Sequence, residues 1–400
     1  MRCGTLELFL TSALWAASSG AVTLFVADSG GNLTTLALTG SDESYDLAVT
    51  SRTTDCQANP SWLTLDHPNR VLYCLDRGAS TSVSGSLNSF SIGEGGVLSR
   101  IGRVTAPLSG VAGEIVTTGS GARGYVSASY NRSAAAVYAL GENGALPGTE
   151  PLQQIFPNIS NTGPIPSRQD RSYLHHVIID PKQKYIVIPD LGGDLCRVYT
   201  YDNDNVAPIK QVGALKADAG TGPRHGVFRV MKNGETFFFF NGELSQKVYS
   251  YRVKYKKAGL QFTKVFEIPA IDANLPSNTA PTSEIAMSPD QRFLVVSNRE
   301  KSFASSPIKG SGPDDTLSTF RIKESGKLER VQLAPAGGWQ PRQFSFNKVG
   351  DKIAVGLQTN RTVVIWKRDL KSGKIIPEEE GGKLGQVQLT GSVVATIWDE

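Results

Sequence analysis

A repeated strand pattern is the feature of this sequence that most constrains its fold. Six segments resemble one another, each reading as short apolar strands separated by polar turns, and the clearest copy is LHHVIIDPKQKYIVIPDLGGDLCRVYTYD. The copies begin at Pro60, Ala112, Leu174, Arg224, Thr282 and Pro341. A repeat of roughly 50 to 60 residues built from short alternating strands is typical of a β-propeller with one copy per blade. The pattern therefore predicts an all-β fold.

The two ends of the chain predict one further blade. The segment from Ser392 to the C-terminus reads as a single inner strand, and strands beginning at Val22, Leu33 and Tyr45 supply three partners. Joining both ends in one sheet would hydrogen-bond the strand edges and close the ring. We therefore predict a seven-bladed β-propeller, closed by the C-terminal strand, that forms a single domain over residues 21–400.

Composition and charge exclude some classes of partner. Of 400 residues, 40% are apolar and 20% are charged, which is ordinary for a globular protein. The net charge is only +4 and the lysines and arginines are scattered along the chain. A nucleic-acid partner needs a concentrated basic surface, so we expect none. We also expect a monomer.

The N-terminus, MRCGTLELFLTSALWAASSG, resembles a secretory signal peptide over residues 1–20. Arg2 supplies the positive charge, an apolar stretch follows, and small residues precede Ala21. Glu7 interrupts the apolar stretch, so the alternative is a segment that is not cleaved. No stretch reaches the ~18 apolar residues of a membrane span. We expect a secreted protein without a transmembrane segment.

Sequons and cysteines also bear on whether the protein is secreted. Four N-x-[ST] triplets fit the acceptor pattern for N-glycosylation; they start at Asn32, Asn131, Asn158 and Asn360. Three cysteines would remain after cleavage, which is not a disulfide framework; they are Cys56, Cys74 and Cys196. The apolar patterns around Cys74 and Cys196 favour small buried side chains, and a bridge between Cys56 and Cys74 is the alternative. No cysteine or histidine spacing indicates a metal site, and we expect no cofactor.

Polar residues occur where a propeller strand should have apolar or turn residues. In a blade, the start of the innermost strand and the end of the second strand lie at the same rim, near the central channel. The polar residues at first-strand starts are His175, His176, Arg224, His225, Glu284 and Arg342. Those at second-strand ends are Asp190, Glu243, Asn298 and Arg299. We predict that these side chains converge on one polar, mixed-charge pocket at the channel mouth.

The residue types in this set suit acid–base chemistry on an anionic ligand. Arginines bind carboxylate or phosphate groups through paired hydrogen bonds. A neutral histidine can act as a general base or acid near pH 7, and a neighbouring carboxylate could orient it or shuttle a proton. The alternative is that the residues form salt bridges that plug the channel.

Several motifs in this set are similar to those of a known family. They include Pro189-Asp190-Leu191-Gly192, Gly222-Pro223-Arg224-His225, Asn241-x-Glu243-Leu244, Ser297-Asn298-Arg299 and Pro341-Arg342. These segments resemble the lactonase family of seven-bladed propellers, which includes the cycloisomerase-type 6-phosphogluconolactonases and the fungal 3-carboxy-cis,cis-muconate lactonizing enzymes. The match runs from about residue 22 to the C-terminus and is more specific in the later copies.

The resemblance implies a site made of a histidine, arginines and a glutamate. Carried over by motif, the catalytic residues are His175, Arg224, Glu243 and Arg299, and the substrate-binding residues beside them are His225, Glu284, Asn298 and Arg342. One departure is that the family's two-histidine motif here reads Tyr173-Leu174-His175, with His176 as an extra histidine. A sequon at Asn131 also falls near this rim.

Two functions from different classes are consistent with these residues. The first is an enzyme that hydrolyses or forms a lactone of an anionic sugar acid or a carboxymuconate, with a small anionic lactone or carboxylate as its substrate. The second is a secreted or cell-wall propeller that binds ligands without catalysis, because a fold does not fix a function. The histidine, arginines and glutamate favour the enzyme, while the secretion signal, the sequons and the altered histidine motif favour the scaffold.

Overall fold

The computed structural model describes residues 21–41, 44–271, 276–299 and 314–400, and within these ranges the chain forms seven four-stranded antiparallel sheets. The number of sheets and their order confirm the predicted seven-bladed β-propeller. The signal peptide predicted for residues 1–20 lies outside the described residues. Residues 300–313, which interrupt the copy that begins at Thr282, also lie outside the described residues.

Each blade consists of four strands that follow one another in the chain from the channel outward, except for the blade built from both termini. Blade 1 contains β4 (Pro60–Asp66), β5 (Val71–Asp76), β6 (Gly85–Ile92) and β7 (Leu98–Ala106). Blade 2 contains β8 (Gly110–Thr117), β9 (Arg123–Ser129), β10 (Ala134–Leu140) and β11 (Gln153–Ile155). Blade 3 contains β12 (Ile178–Ile179), β13 (Tyr185–Asp190), β14 (Leu195–Thr200) and β15 (Lys210–Lys216).

The remaining blades follow the same plan. Blade 4 contains β16 (Pro223–Val230), β17 (Thr236–Gly242), β18 (Lys247–Lys256) and β19 (Gly259–Pro269). Blade 5 contains β20 (Thr282–Met287), β21 (Phe293–Asn298), β22 (Thr316–Ile322) and β23 (Leu328–Pro335). Blade 6 contains β24 (Pro341–Phe346), β25 (Lys352–Leu357), β26 (Thr362–Lys367) and β27 (Lys383–Gln388). Blade 7 contains β28 (Val393–Trp398), β1 (Val22–Asp28), β2 (Leu33–Ser41) and β3 (Ser44–Thr53).

The C-terminal strand closes the ring, as the sequence predicted. β28 pairs antiparallel with β1, with Leu24 opposite Trp398 and Ala27 opposite Ala395. β28 also contacts the innermost strands β24 and β4 of the two neighbouring blades. Both chain ends therefore belong to one sheet, and that sheet joins the last repeat to the first.

Hydrophobic cores lie between adjacent blades rather than within one central core. Among the described residues there are seven such clusters, and each joins two neighbouring blades. In β17, Phe238 and Phe240 pack toward blade 3, while Phe237 and Phe239 pack toward blade 5. Successive side chains of a strand point to opposite faces, so a strand that is buried on both faces carries an uninterrupted apolar run.

A β-bulge recurs where the innermost strand of each blade begins. One extra residue occurs in the pairing with the second strand, for example at Arg224 in β16, at Arg342 in β24 and between Leu174 and Ile178 at the start of blade 3. Corresponding register shifts occur in blades 1, 2, 5 and 7. Bulges redirect a side chain and are frequent beside active sites. In β16 and β24 the bulged residues are Arg224 and Arg342, the two arginines predicted for the channel mouth.

The structure decides between the two alternatives stated for the cysteines. Cys74 is buried, but it forms a disulfide with Cys56, and their Cα atoms are 6.1 Å apart. The bridge ties the segment before β4 to the second strand of the same blade. Cys196 is free and buried, as expected. Among the residues that the structure describes, no helix is long and apolar enough to cross a membrane.

Candidate functional site at the channel mouth

A recurring backbone hydrogen bond brings second-strand ends next to first-strand starts. The residue that follows the second strand donates its N–H to the residue that precedes the first strand. Tyr130 N donates to Ser109 O at 2.9 Å, and Glu243 N donates to Gly222 O at 2.8 Å. The same bond is made by the N–H groups of Ser29, Arg77, Leu191 and Gln358. The topology therefore places these positions from different blades around one rim, as the sequence predicted.

A buried carboxylate surrounded by three guanidiniums occupies this rim. Glu243 Oε1 lies 2.6 Å from Arg168 Nη2 and 3.2 Å from Arg299 Nη2, and Glu243 Oε2 lies 2.8 Å from Arg224 Nε. Arg224 also donates from Nη1 to the carbonyl of Ser283 at 2.7 Å. Arg224 and Glu243 are 1% and 4% exposed. Both oxygens of the carboxylate are paired, so the group is held in one orientation.

The charges of this cluster keep Glu243 ionised. Burial alone would raise the pKa of the carboxyl, but Arg299, Arg168 and Arg224 outweigh it and hold the pKa well below its usual range. Burial lowers the pKa of Arg224 to about 10, and the neighbouring Glu243 partly opposes this shift. A carboxylate with so low a pKa does not exchange protons near neutrality. Glu243 therefore orients arginines and is unsuited to acid–base work.

A chain of hydrogen bonds runs from His175 through His225 to Glu284. His175 Nδ1 is 3.1 Å from His225 Nε2, and His225 Nδ1 is 2.7 Å from Glu284 Oε1. All three side chains are buried, with exposures of 5%, 2% and 4%. Glu284 Oε1 also accepts the N–H of Ile285 at 3.0 Å, whereas its Oε2 has no hydrogen-bond partner.

When Glu284 is ionised, this chain of hydrogen bonds determines the tautomers of His225 and His175. A carboxylate only accepts, so His225 carries its proton on Nδ1 and its Nε2 accepts. His175 then donates from Nδ1, which leaves its Nε2 with a free lone pair. Burial, followed by the positive charges of Arg224 and Arg342, holds the pKa of His175 well below its usual value. His175 is therefore a neutral imidazole, and its basic nitrogen, Nε2, takes no part in the chain of hydrogen bonds.

Aromatic rings pack around the histidines and limit their movement. His176 stacks on His225 with ring centres 4.3 Å apart, and Trp62 meets His225 edge-on at 5.7 Å. On the other side, Tyr130 meets His175 edge-on at 5.3 Å. The hydroxyl of Tyr130 accepts a hydrogen bond from Arg168 at 3.2 Å. These contacts hold the imidazole planes where the hydrogen bonds require them.

Two further arginines at the mouth have no side-chain partner among the described residues. Arg342 and Arg77 are partly exposed, and no described residue forms a hydrogen bond or ion pair with either guanidinium. Burial, then the positive charges of Arg224, Arg77 and Arg299, lowers the pKa of Arg342 to about 9. Burial also lowers the pKa of Arg77. Unpaired cations that repel one another at a mouth are suited to binding an anion.

The predicted site residues are mostly, but not all, at this mouth. The structure brings together His175, His176, Arg224, His225, Glu243, Glu284, Arg299 and Arg342. The amide of Asn298 donates to Thr316 and Ser318 of the next strand, β22, at 3.1 and 2.9 Å, and its role in substrate binding stays a prediction. Asp190 is likewise turned into its blade, where it pairs with Arg197 at 2.8 Å.

The sequence-based selection missed Arg77, Arg168 and Tyr130. Arg77 and Tyr130 each follow the second strand of a blade, the position that Glu243 and Arg299 occupy in theirs. Comparing that position in every copy would have identified both. Arg168 lies in a loop between blades, and no strand position marks it. Within the described residues no group of three or more His, Cys, Asp or Glu side chains is arranged to hold a metal ion.

A separate cavity opens on the opposite face of the ring. It has a volume of about 860 Å³ and is lined by the far ends of the innermost strands and by the turns that follow them, such as Pro181 and Pro289. Its inner end includes Glu284, His176 and Glu114. Burial raises the pKa of Glu114 to about 7. Glu284 therefore borders this cavity while it is bonded to the histidines of the mouth.

Comparisons with known proteins agree with this fold. A family model described as a lactonase, 7-bladed β-propeller, matches residues 19–388. The probable 6-phosphogluconolactonase of Arthroderma benhamiae is 28% identical over 364 residues, which cover 90% of this chain and 86% of that protein. The 6-phosphogluconolactonase of Formosa agariphila is 28% identical over 56% of this chain and 59% of its own length. The solved structure of the periplasmic gluconolactonase of Pseudomonas aeruginosa superimposes with a TM-score of 0.75 at 23% identity and covers 95% of this chain and 99% of that one.

Proposed function

The chain belongs to the lactonase family of seven-bladed β-propellers, and on this premise we propose that it hydrolyses a lactone that carries an anionic group. The observation that carries the proposal is the hydrogen-bonded chain from Glu284 to His175, which leaves a basic imidazole nitrogen beside unpaired arginines. A base and an anion site at one mouth are what hydrolysis of an acidic lactone requires.

His175 is the general base of this reaction. Its Nε2 removes a proton from water while the water oxygen attacks the lactone carbonyl carbon. The guanidinium of Arg224, held by Glu243 at 2.8 Å, provides a fixed positive charge near the developing oxyanion. Glu243 acts through the arginines that it positions, so it is a positioning residue.

The substrate's anionic group binds to Arg342 and Arg77. The sequence named Arg342 for substrate binding, and Arg77 joins it here, whereas Arg224 and Arg299 are paired with Glu243. No described carboxylate pairs with Arg342 or Arg77, and an anion would relieve the repulsion between them. This assignment places the anion near blades 1 and 6.

The relatives named as 6-phosphogluconolactonases favour a phosphorylated aldonolactone as the substrate class. A carboxymuconate lactone offers a carboxylate instead of a phosphate and remains the second substrate class to be tested. In the cyclising direction the same histidine would deliver a proton as a carboxylate adds to a double bond.

We further propose that the protein is secreted. The buried disulfide between Cys56 and Cys74 supports an oxidising compartment. The sequon asparagines Asn131, Asn158 and Asn360 are exposed, whereas the amide of Asn32 donates to Asp28 at 3.1 Å. N-terminal sequencing should give a mature chain that begins near Gly20 or Ala21. A glycosidase should shift the mobility of the secreted chain, and Asn32→Gln should leave that shift unchanged.

A binding scaffold without catalysis is the second candidate. The closed cluster of Glu243 with Arg168, Arg224 and Arg299 favours it, since buried ion pairs of this kind can serve the channel structure alone. The scaffold predicts ligand binding without turnover, and that binding would tolerate His175→Ala.

The test is a screen of the purified secreted protein against aldonolactones, phosphorylated aldonolactones and carboxymuconates. We expect turnover of at least one anionic lactone, a loss of about 10²-fold or more in kcat for His175→Ala, and no loss for the exposed His67→Ala. Turnover that survives both His175→Ala and Glu243→Gln would remove these residues from the mechanism. Absence of turnover in the wild type would leave the scaffold.

A further inference from the structure

We propose that Glu284 is the proton store of this site: it takes up a proton from His225 when His175 removes one from water, and it returns that proton to His225 when the lactone ring opens. The inference rests on the proposed function. It assigns the storage of a proton during hydrolysis to Glu284, a carboxyl that does not touch the substrate. Glu284 and His225, predicted from the sequence as substrate-binding residues, are positioning residues on this view.

The hydrogen bonds provide a continuous path for the proton. His175 Nδ1 and His225 Nε2 are 3.1 Å apart, and His225 Nδ1 and Glu284 Oε1 are 2.7 Å apart. Every link joins two atoms that can each hold or release a proton. Stacking of His176 on His225 at 4.3 Å keeps the middle ring in line.

Glu243 and Glu284, the two buried carboxyls of the mouth, differ in their partners and therefore in their roles. Glu243 has guanidiniums on both oxygens and cannot take up a proton near neutrality. Glu284 has one oxygen on His225 and one buried oxygen without a partner. A buried acceptor left unpaired is costly, and protonation of the carboxyl removes that cost. Glu284 is thus the carboxyl that the structure leaves able to change its charge.

The charges around the hydrogen-bonded chain from His175 to Glu284 favour transfer of the proton to Glu284 over its retention on a histidine. Burial, with Arg224 and Arg342, lowers the pKa of both His175 and His225, so an imidazolium is disfavoured at either position. Burial raises the pKa of Glu284, against the lowering effects of His176, Arg224 and Arg342. Arg299 and Glu243 also face His225. A proton that reaches Glu284 leaves no new cation beside the arginines.

Every proton moved in this hydrolysis has a donor and an acceptor. The O–H bond of water breaks, its oxygen bonds the carbonyl carbon, and the proton bonds His175 Nε2. The proton on His175 Nδ1 moves to His225 Nε2, and the one on His225 Nδ1 moves to Glu284 Oε1. Opening of the ring breaks the bond from carbon to ring oxygen, and His175 Nε2 gives its proton to that oxygen while the shifts reverse. The sum is one water added and one hydroxy acid formed.

The test compares two carboxyls that border the same cavity on the opposite face. Glu284→Gln keeps the shape and can accept the His225 hydrogen bond, but it cannot store a proton. Glu114→Gln is the matched control, since the described contact of the Glu114 carboxyl is the N–H of Ile115 at 2.8 Å. Steady-state kinetics on the anionic lactone with the highest turnover gives kcat and KM for both variants. Thermal unfolding of each variant measures its stability.

For Glu284→Gln we expect kcat to fall by about 10²-fold with little change in KM. We also expect the acidic limb of the pH profile to move to lower pH, because the loss of a negative charge lowers the pKa of the histidines. Glu284→Asp, which keeps an ionisable group, should recover part of the kcat. A kcat that is unchanged in Glu284→Gln overturns the proton store, and so does an equal loss in Glu114→Gln.

Nitrogen-15 spectra of histidine-labelled wild-type protein provide a readout that needs no substrate. We expect protons on Nδ1 of both His175 and His225 near pH 7, and protons on Nε2 of both would overturn the resting arrangement. Absence of any lactone turnover in the wild type would overturn the proposed function and the store with it. Turnover that is unaffected by Glu284→Gln would overturn the store alone.

Discussion

Glu243 and Arg224 form an ion pair of 2.8 Å at a place where neither side chain is more than 5% exposed. Because Arg168 and Arg299 bind the same carboxylate, the pair belongs to a four-membered cluster that joins the loop before blade 3 to blades 4 and 5. The cluster holds the side chains of the mouth in place, and the residues beside it are available for substrate binding and catalysis.

Removing the carboxylate of this cluster should destabilise the protein. Glu243→Gln leaves three guanidiniums facing one another without an anion, and breaking a buried pair in this way costs about 3–5 kcal/mol of unfolding free energy. Glu267→Gln, a carboxylate between Lys247 and Lys264 at the surface, is the control and should cost about 1 kcal/mol or less. Urea unfolding measures both. Equal effects would show that the cluster has no structural role.

Arg342 and Arg77 should determine the preference for an anionic substrate. Arg342→Ala or Arg77→Ala should raise KM for an anionic lactone by about 10-fold, as expected for a lost charge-assisted hydrogen bond. KM for a neutral lactone should change little. Arg342→Lys keeps the charge but loses the paired geometry, so it should fall between the wild type and Arg342→Ala. Arg100→Ala, at an exposed arginine, is the control. A KM that rises equally for both lactones would contradict an anion site here.

Three histidines at the mouth, His175, His176 and His225, should make the protein less stable in weak acid. The pKa values of His175, His176 and His225 are held well below the usual histidine value of about 6.5, chiefly by burial. Because the folded pKa values are lower, the unfolded chain binds these protons first as the pH falls below 6.5. Each histidine then removes about 1.4 kcal/mol of stability per pH unit. Stability is fully present above that pH.

The measurement is the unfolding free energy as a function of pH between about 6.5 and 5. His176→Gln should reduce the slope by the contribution of one proton. Equal slopes in the wild type and His176→Gln would show that His176 is protonated in the folded protein.

Closure of the ring by β28 should be essential for stability. Deleting residues 392–400 removes the innermost strand of blade 7 and exposes the edge of β1. It also removes buried Val393 and Val394, each of which stabilises the fold by about 1.5–3 kcal/mol. The thermal unfolding midpoint should therefore drop sharply, whereas deletion of only Asp399 and Glu400 should have a small effect. An unchanged midpoint after the longer deletion would contradict closure by this strand.

The sequence by itself determined the blades. Short apolar runs and turn residues such as Asp180-Pro181 recur in each copy, and they specify strands and turns from local preferences. The complementary ends predicted that β28 joins β1. Strand direction then placed His175, Arg224, Glu243 and Arg299 at one rim, because first-strand starts and second-strand ends of a blade must meet there.

Only the tertiary structure decided which of these side chains are paired and which are free. Arg224 and Arg342 occupy equivalent bulge positions in their strands, yet Arg224 is bound by Glu243 and Arg342 has no carboxylate partner among the described residues. Asn298 and Arg299 are neighbours in the sequence, but one bonds within its blade and the other reaches the mouth. Pairing depends on distances between side chains from different blades, which a local pattern does not contain. The same holds for Glu243 and Glu284, whose pKa values shift in opposite directions because three guanidiniums bind one carboxylate and burial dominates the other.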